Sequence, residues 1–359
     1  MLKIAIDGRF YGTGHTGLGR YTTNVLKYLP KYLSDHTLQV LLRDDQYEHF
    51  AGGKNVEKVN AEIPHYSFAE QLKLPFILAF LKSNLLYTLH FNAPIFFRVK
   101  TIVTVHDLIK SHFTGADTTT RSPWLYAIKR QGYNRVIEKT LARAEDIIVP
   151  TNTVKNNILA IFPGIKPERI HPIAEAPDEI FRQNLKFENL RFKIPTKYLL
   201  FVGNVYPHKN LPVLLEALKL LPTQNLVIVA KPSPFLSRVL APYDRTRIHI
   251  LSNLTDSELV SVYHQAQLLV TPSLMEGYGL VGLESLMVGT PVVASNIPVY
   301  REVYGKKVTY FDPKSSADLA KTVTSVLKKK RPAPLDFKRT WDDVARDIAE
   351  VINARCTSL

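Results

Sequence analysis

From Gln267 to Ser295 the chain reads as a strand, a glycine-bearing turn, a helix of about ten residues and a second strand, with Gly289 before that last strand. Two apolar runs around a glycine-opened helix make a βαβ unit, the building block of a parallel sheet. Glu276, Gly277 and Gly279 fall in the turn, and Glu284 falls about one turn inside the helix. Glycines at a helix start let a ligand approach the backbone, where free amides and the positive end of the macrodipole, about half a charge, attract phosphate. Anions would repel the two glutamates, so each reads as an acceptor for neutral hydroxyls beside the phosphate. Phosphate next to hydroxyls suggests a sugar nucleotide.

The same alternation of apolar runs and helical patterns extends from end to end and gives an α/β chain. In the first half strands are expected at Lys3–Ile6, Leu38–Leu42, Leu85–Thr88, Thr101–Val105 and Asp146–Val149, with helices near Tyr21–Tyr32, Phe68–Leu81 and Trp124–Arg143. A second series opens at Lys197 with YLLFVG and continues at Asn225–Ala230, Arg247–Leu251, Gln267–Val270, Pro291–Ala294 and Lys307–Phe311. A length of 359 residues suits two such doubly wound halves. The polar, proline-bearing segment Ala174–Thr196 is the expected linker, and the amphipathic helix Thr340–Ala354 belongs to neither series. Ligands of open α/β sheets bind beyond the carboxyl ends of the strands, so the site is expected in a cleft between the two halves.

A formal charge of +14 asks for an anionic partner. Nucleic acid fits poorly, because the basic residues are dispersed and neither an aromatic-rich binding module nor zinc-finger spacing is visible. A membrane surface fits better, and the helix with Lys129, Arg130, Arg135, Lys139 and Arg143 is the candidate contact, a solvated helix face being the plainer reading. Met1 leads into KIAI without the apolar core of a signal peptide, and Cys356 is the single cysteine. A cytoplasmic protein is therefore the expectation, with peripheral attachment to the inner face of the membrane its extension.

After the first strand, Gly12, Gly14 and Gly17 satisfy G-x-G-x-x-G, but the first of them lies about six residues past the strand and no acid closes the second strand. A mobile glycine loop, Gly14 to Gly19, suits the segment better than a dinucleotide turn, with a plain connection as the alternative. His106 and Asp107 follow the strand TIVTV, where a histidine would bind a sugar hydroxyl or phosphate, or else hold its loop. In FVGNVYPHKN, Gly203 ends a strand and Lys209 stands with Asn210 at the next helix start. A lysine there opposes the helix dipole, so it is expected to serve an anion. No D-x-D, H-E-x-x-H or Cys/His cluster occurs, and no catalytic metal is expected. The diphosphate charge then falls to Lys209, the helix N-terminus and one of Arg9, Arg20 or Lys231. Two glutamates would also suit a glycosidase, yet a phosphate cradle is wasted on an alkoxide leaving group and useful for a nucleoside diphosphate.

These residues resemble the family 4 retaining glycosyltransferases of GT-B fold, over nearly the full chain. EGYGLVGLE, Glu276 to Glu284, matches that family's E-x7-E motif, followed by GTPVVAS. Further matches are Gly17 to Gly19, TVHDL around His106, PHKN, and the helix led by Trp341. The resemblance implies two Rossmann-like domains facing across a cleft: an acceptor domain, residues 1–175, to which a C-terminal helix, 340–359, crosses back, and a donor domain, 176–339. It implies that Glu276 sits near the donor sugar hydroxyls, that the backbone of Gly277, Tyr278, Gly279 and Leu280 holds the diphosphate, and that Glu284 binds the ribose. Lys209 would pair with the diphosphate, His106 would face the transferred sugar, and Gly17 and Gly19 would close over the reacting groups. Many members carry arginine after the glycine of FVG, where this chain has Asn204 beside Gly203, so the second phosphate cation is left open.

The expectation is a metal-independent, retaining hexosyltransferase without a cofactor, taking a nucleotide-sugar donor to a glycan or lipid-linked acceptor in cell-surface polysaccharide or glycolipid synthesis. Mannose from GDP-mannose is the best guess at the donor. The alternatives are a glucosyl- or galactosyltransferase using a UDP-sugar, and a non-catalytic relative that binds sugar nucleotides or glycans.

Overall fold

The computed structural model describes residues 1–12, 16–96, 98–113, 123–182 and 190–357. The chain divides into two compact units: one of Met1–Leu108, Ser122–Glu175 and Arg339–Leu359, the other of Ile109–Arg121 and Ala176–Lys338.

The first unit holds β1 (Lys3–Asp7), β2 (Thr37–Leu42), β3 (Val56–Asn60), β4 (Leu85–Thr88), β5 (Lys100–Thr104), β6 (Asp146–Val149) and β7 (Ile170–Pro172). They form one parallel sheet in the order β3-β2-β1-β4-β5-β6-β7, with Ile6 aligned on Val40 at one side and Tyr87 at the other. The central strands β1 and β4 are buried apart from Lys3 at the start of β1, as parallel strands covered on both faces must be. The edge strands β3 and β7 escape the sequence reading for the same reason. Val56–Asn60 is mostly exposed and mixes charge with valine, while β7 is three residues ending in proline, so neither carries a continuous apolar run.

The second unit holds β8 (Tyr198–Val202), β9 (Asn225–Val229), β10 (Ile248–Leu251), β11 (Leu268–Thr271), β12 (Val292–Ser295) and β13 (Thr309–Phe311), all parallel, in the order β10-β9-β8-β11-β12-β13. Leu199, Phe201, Leu226, Ile228, Leu268 and Val270 build its core with Leu211, Leu214 and Leu215 of the Leu211–Lys219 helix. The strand order reverses between β8 and β11, which places the loops after these two strands side by side at the sheet's carboxyl edge.

Two sequence expectations need correction. Gly17 and Gly19 do not form a loop: they lie in the first turn of the Thr16–Tyr32 helix, Gly17 exposed and Gly19 buried, while Gly14 lies outside the described residues. The linker reading of Ala174–Thr196 fails over its first part. Ala176 and Phe181 are buried, and the Phe181 ring meets Tyr263 edge-on at 5.5 Å, so this stretch is part of the second unit's packing. Arg331 folds back to donate to the carbonyls of Gly289 and His264 and to Thr290 Oγ1, and burial holds its pKa below the usual arginine value.

The Trp341–Cys356 helix belongs to the first unit. Its start is fixed by a capping box in which Thr340 accepts from the Asp343 amide and Asp343 from the Thr340 amide. Trp341 is buried edge-on against Tyr21, Lys31 and Tyr32 donate to Asp342, and Arg355 grips Asp146 with two hydrogen bonds.

Candidate functional site

Two loops meet at the carboxyl ends of β8 and β11. The first leaves β8 at Gly203, whose φ of 134° suits glycine and whose amide donates to the Val229 carbonyl at 3.0 Å. Asn204 follows, its carbonyl accepting from the Tyr206 amide. Pro207–Lys209 makes one 3-10 turn, and Asn210 then caps the next helix in a left-handed conformation, with Nδ2 donating to the Pro313 carbonyl at 2.8 Å. The second loop, after β11, is tied to the first by the Leu274 amide donating to the His208 carbonyl at 2.7 Å.

The centre of this junction is Glu276. Its Oε1 accepts from Lys209 Nζ at 2.6 Å, Ser273 Oγ at 2.7 Å and Tyr300 OH at 3.3 Å. Burial alone would favour the neutral acid, but the charges of Lys209 and His208 and the hydrogen bonds from Lys209 and Ser273 outweigh it and hold the pKa below the usual carboxylate value. A carboxylate fixed in this way stays charged at neutral pH and keeps one orientation.

Beneath the turn the Tyr300 ring stacks on Tyr304, centroids 4.9 Å apart and 22° between planes. Tyr304 OH donates to the Gly279 carbonyl at 2.5 Å and so fixes the residue that caps the Leu280–Met287 helix. Gly279 has φ of 97°, and a Cβ there would sit 2.6 Å from Tyr304 OH and 2.7 Å from the Tyr300 ring. Only glycine fits. The Gly282 amide donates to the Gly279 carbonyl at 3.3 Å, while the two amides before it, at the helix start, have no intrahelical acceptor and carry the positive end of the dipole. Further along, Glu284 is 7% exposed and accepts from Tyr263 OH at 2.8 Å. Tyr278 is buried between them in the chain.

Gly203, Asn204, Lys209, Glu276, Gly277, Tyr278, Gly279, Leu280 and Glu284 thus all belong to the second unit and follow β8 or β11. Sequence reasoning separated Lys209, for a phosphate, from Glu276, for a sugar. The structure joins them in one ion pair with side chains 20% and 10% exposed. It also adds Ser273, Tyr263, Tyr300 and Tyr304. The spacing of the last two in PVYREVY places them one helical turn apart, but nothing in the sequence shows what that turn faces.

His106 belongs to the first unit, after β5, and both ring nitrogens are engaged. Nε2 lies 2.9 Å from the Leu89 carbonyl and Nδ1 3.3 Å from Glu175 Oε1, with Tyr21 edge-on at 4.5 Å. This is the loop-holding arrangement, and a ligand hydroxyl reaching either nitrogen must displace one of these partners. Burial works against the imidazolium, but the hydrogen bond to Glu175, the Glu175 charge and the Leu89 carbonyl raise its pKa above 6.5. A raised pKa means that folding binds a proton, so the stabilisation is complete below pH 6.5 and fades as pH climbs through the folded-state pKa. The melting-temperature difference between the wild type and His106→Gln should therefore be larger at pH 6 than at pH 9. An equal difference at both would show that the Glu175 pair carries no net stability.

Arg9 is not a phosphate cation. It is fully buried, donates to Asp7 Oδ2 and Glu70 Oε1 at 2.6 Å each, and reaches the Ile63 carbonyl. Its charge is held in place inside the first unit.

Two family models match the chain, Glycosyltransferase Family 4 over residues 15–176 and Glycosyl transferases group 1 over residues 182–346. The chain belongs to glycosyltransferase family 4. This glycosyltransferase is 26% identical to the O-antigen chain mannosyltransferase RfbU of Salmonella typhimurium, over 78% of this chain and 74% of that one. It is 28% identical to the serotype-specific mannosyltransferase WbdA of Escherichia coli over 64% of its own length, and spans 29% of that longer protein. Among solved structures, sucrose-phosphate synthase of Thermosynechococcus elongatus superposes with a TM-score of 0.68 at 16% identity, covering 98% of this chain and 94% of that one. The two parallel-sheet α/β domains of this glycosyltransferase are those of the GT-B fold. Among the described residues no three His, Cys, Asp or Glu side chains converge as a metal site, and no helix is long and apolar enough to cross a membrane.

Proposed function

We propose that this glycosyltransferase moves a mannosyl residue, with retention of anomeric configuration and without a metal, from GDP-mannose to a glycan or lipid-linked acceptor of a cell-surface polysaccharide. One observation carries the reading: at a sheet switch point, Lys209 from the loop after β8 meets a charged Glu276 in the glycine turn after β11, which opens an anion-attracting helix. In this account Lys209 exchanges Glu276 for the donor diphosphate, the first amides of the Leu280–Met287 helix take the rest of its charge, and Glu284 receives the ribose hydroxyls. Glu276, released from Lys209 but still held by Ser273 and Tyr300, then accepts from the hydroxyls of the sugar. The departing diphosphate leaves on the face that the acceptor hydroxyl attacks and helps to deprotonate it. The mannosyltransferase names of the relatives support the sugar.

A thermal-shift panel of GDP, UDP, GDP-mannose and UDP-glucose tests the donor. GDP and GDP-mannose should raise the melting temperature most, with a ligand at a hundred times its dissociation constant adding about 2.7 kcal/mol. A larger shift with the UDP compounds would replace mannose by a UDP-linked sugar. Transfer should persist in EDTA, and loss of turnover there that Mg²⁺ restores would overturn the metal-free step.

A further inference from the structure

The Phe68–Leu81 helix is apolar on both sides, which is abnormal for a helix at a protein surface. Its inner side is ordinary. Leu74 and Leu78 are buried with Ala5, Leu41, Ala61, Ile63 and Leu86, and Glu70 is buried on Arg9. Its outer side carries Phe68, Leu72, Phe76 and Phe80, which are 87%, 63%, 77% and 85% exposed. At about 100° per residue these four span about 120° of the helix surface, directly opposite the Leu74–Leu78 side. Phe96 extends the patch at 71% exposure, because Gln71 ties its segment to the helix through the Ala93 carbonyl and the Ile95 amide.

Cationic side chains border the patch, and the nearest exposed carboxylate is at its far end, where Gln39 Nε2 donates both to Glu57 Oε2 and to the Leu81 carbonyl. Lys73 is exposed on the helix, Lys82 is exposed at its C-cap, and Arg98 is exposed beside Val99, which packs on the helix's inner side. Lys139 lies over the Phe96 ring. The helix's one carboxylate, Glu70, is 1% exposed and accepts from Arg9, Asn92 and the Tyr66 amide, so it puts no negative charge outward.

We propose that the outer face of the Phe68–Leu81 helix, with Phe96, docks on an anionic lipid bilayer. The helix lies along the interface, with its four exposed apolar side chains among the acyl chains and the lysines and arginine at the headgroups. At 14 residues and about 21 Å the helix is too short to span a bilayer but long enough to lie in its surface. A second copy of the chain is the weaker occupant. A stripe about 21 Å by 10 Å offers about 200 Å², against about 800 Å² per partner in a stable interface, and two cationic rims would repel. The sequence expectation placed membrane contact on the Trp124–Arg143 helix, but there Lys139 lies over Phe96 and Arg143 donates to the Ile95 carbonyl, so both support this patch.

Vesicle co-sedimentation of the full chain tests this without any donor, so its failure is separable from failure of the transfer reading. The wild type should bind phosphatidylcholine vesicles containing one third phosphatidylglycerol, and bind them more weakly in high salt or with phosphatidylcholine alone. Phe76→Ser with Phe80→Ser should lower partitioning by about a hundredfold, about tenfold for each side chain withdrawn from the acyl region. Lys73→Glu should lower it several-fold. Because both phenylalanines are exposed, the double variant should keep the wild-type circular dichroism and melting temperature. Equal partitioning of the double variant and wild type would overturn the proposal, as would absence of wild-type binding. So would light scattering that shows a dimer dispersed by the double substitution, which would assign the face to a second copy.

Discussion

Glu276→Gln should reduce glycosyl transfer by about a thousandfold while leaving the second unit folded. The substitution preserves shape and most of the hydrogen bonds, because an amide oxygen can still accept from Ser273 Oγ and Tyr300 OH. It removes the negative charge that Lys209 meets at 2.6 Å. Lys209 would then be free to hold the diphosphate at all times, so donor affinity should stay or rise while turnover collapses. That split separates a role at the reacting sugar from a structural one, which would lower stability and turnover together. Turnover within a few-fold of wild type would remove Glu276 from the reaction.

The second large effect is on stability. A Cβ at Gly282 would stand 2.4 Å from Cζ and OH of Tyr304, a ring with no exposed surface, so the alanine cannot be accommodated by a swing of a free side chain. Gly282→Ala should cost about 3 kcal/mol, the upper end for overpacking, and lower the melting temperature by about 6–12 °C. Tyr304 would also lose its hold on the Gly279 carbonyl, and with it the geometry of the helix cap. In a double-mutant cycle Tyr304→Ala removes the obstruction, and adding Gly282→Ala to it should cost almost nothing further. Additive losses would mean that the glycine is required for some reason other than this ring.

The sequence displayed the strands that are buried on both faces, because such strands are continuous apolar runs, and it hid β3 and β7, whose edge positions let them carry charge and proline. The residues of the glycine turn were legible as chemistry. A lysine at a helix start opposes the dipole, and that local contradiction is itself the signal. Their pairing was not legible, since Lys209 and Glu276 meet only because β8 and β11, far apart in the chain, are neighbours in the sheet. Arg9 misled in part for the same reason: Asp7, two residues away, was a local partner in plain view, but its burial and its second carboxylate, Glu70, 61 residues away, were not. The aromatic support under the turn was equally invisible, as PVYREVY reads as an ordinary amphipathic helix until Tyr300 and Tyr304 are seen stacked beneath Gly279.

Calorimetric titration of GDP-mannose and UDP-glucose into the wild type and Lys209→Ala tests the donor site most directly. The account predicts that GDP-mannose binds the wild type, and that Lys209→Ala weakens it by about thirtyfold, the loss of one charge-assisted contact worth about 2 kcal/mol. Binding of equal strength in the two proteins, or no binding of either donor to the wild type, would contradict it.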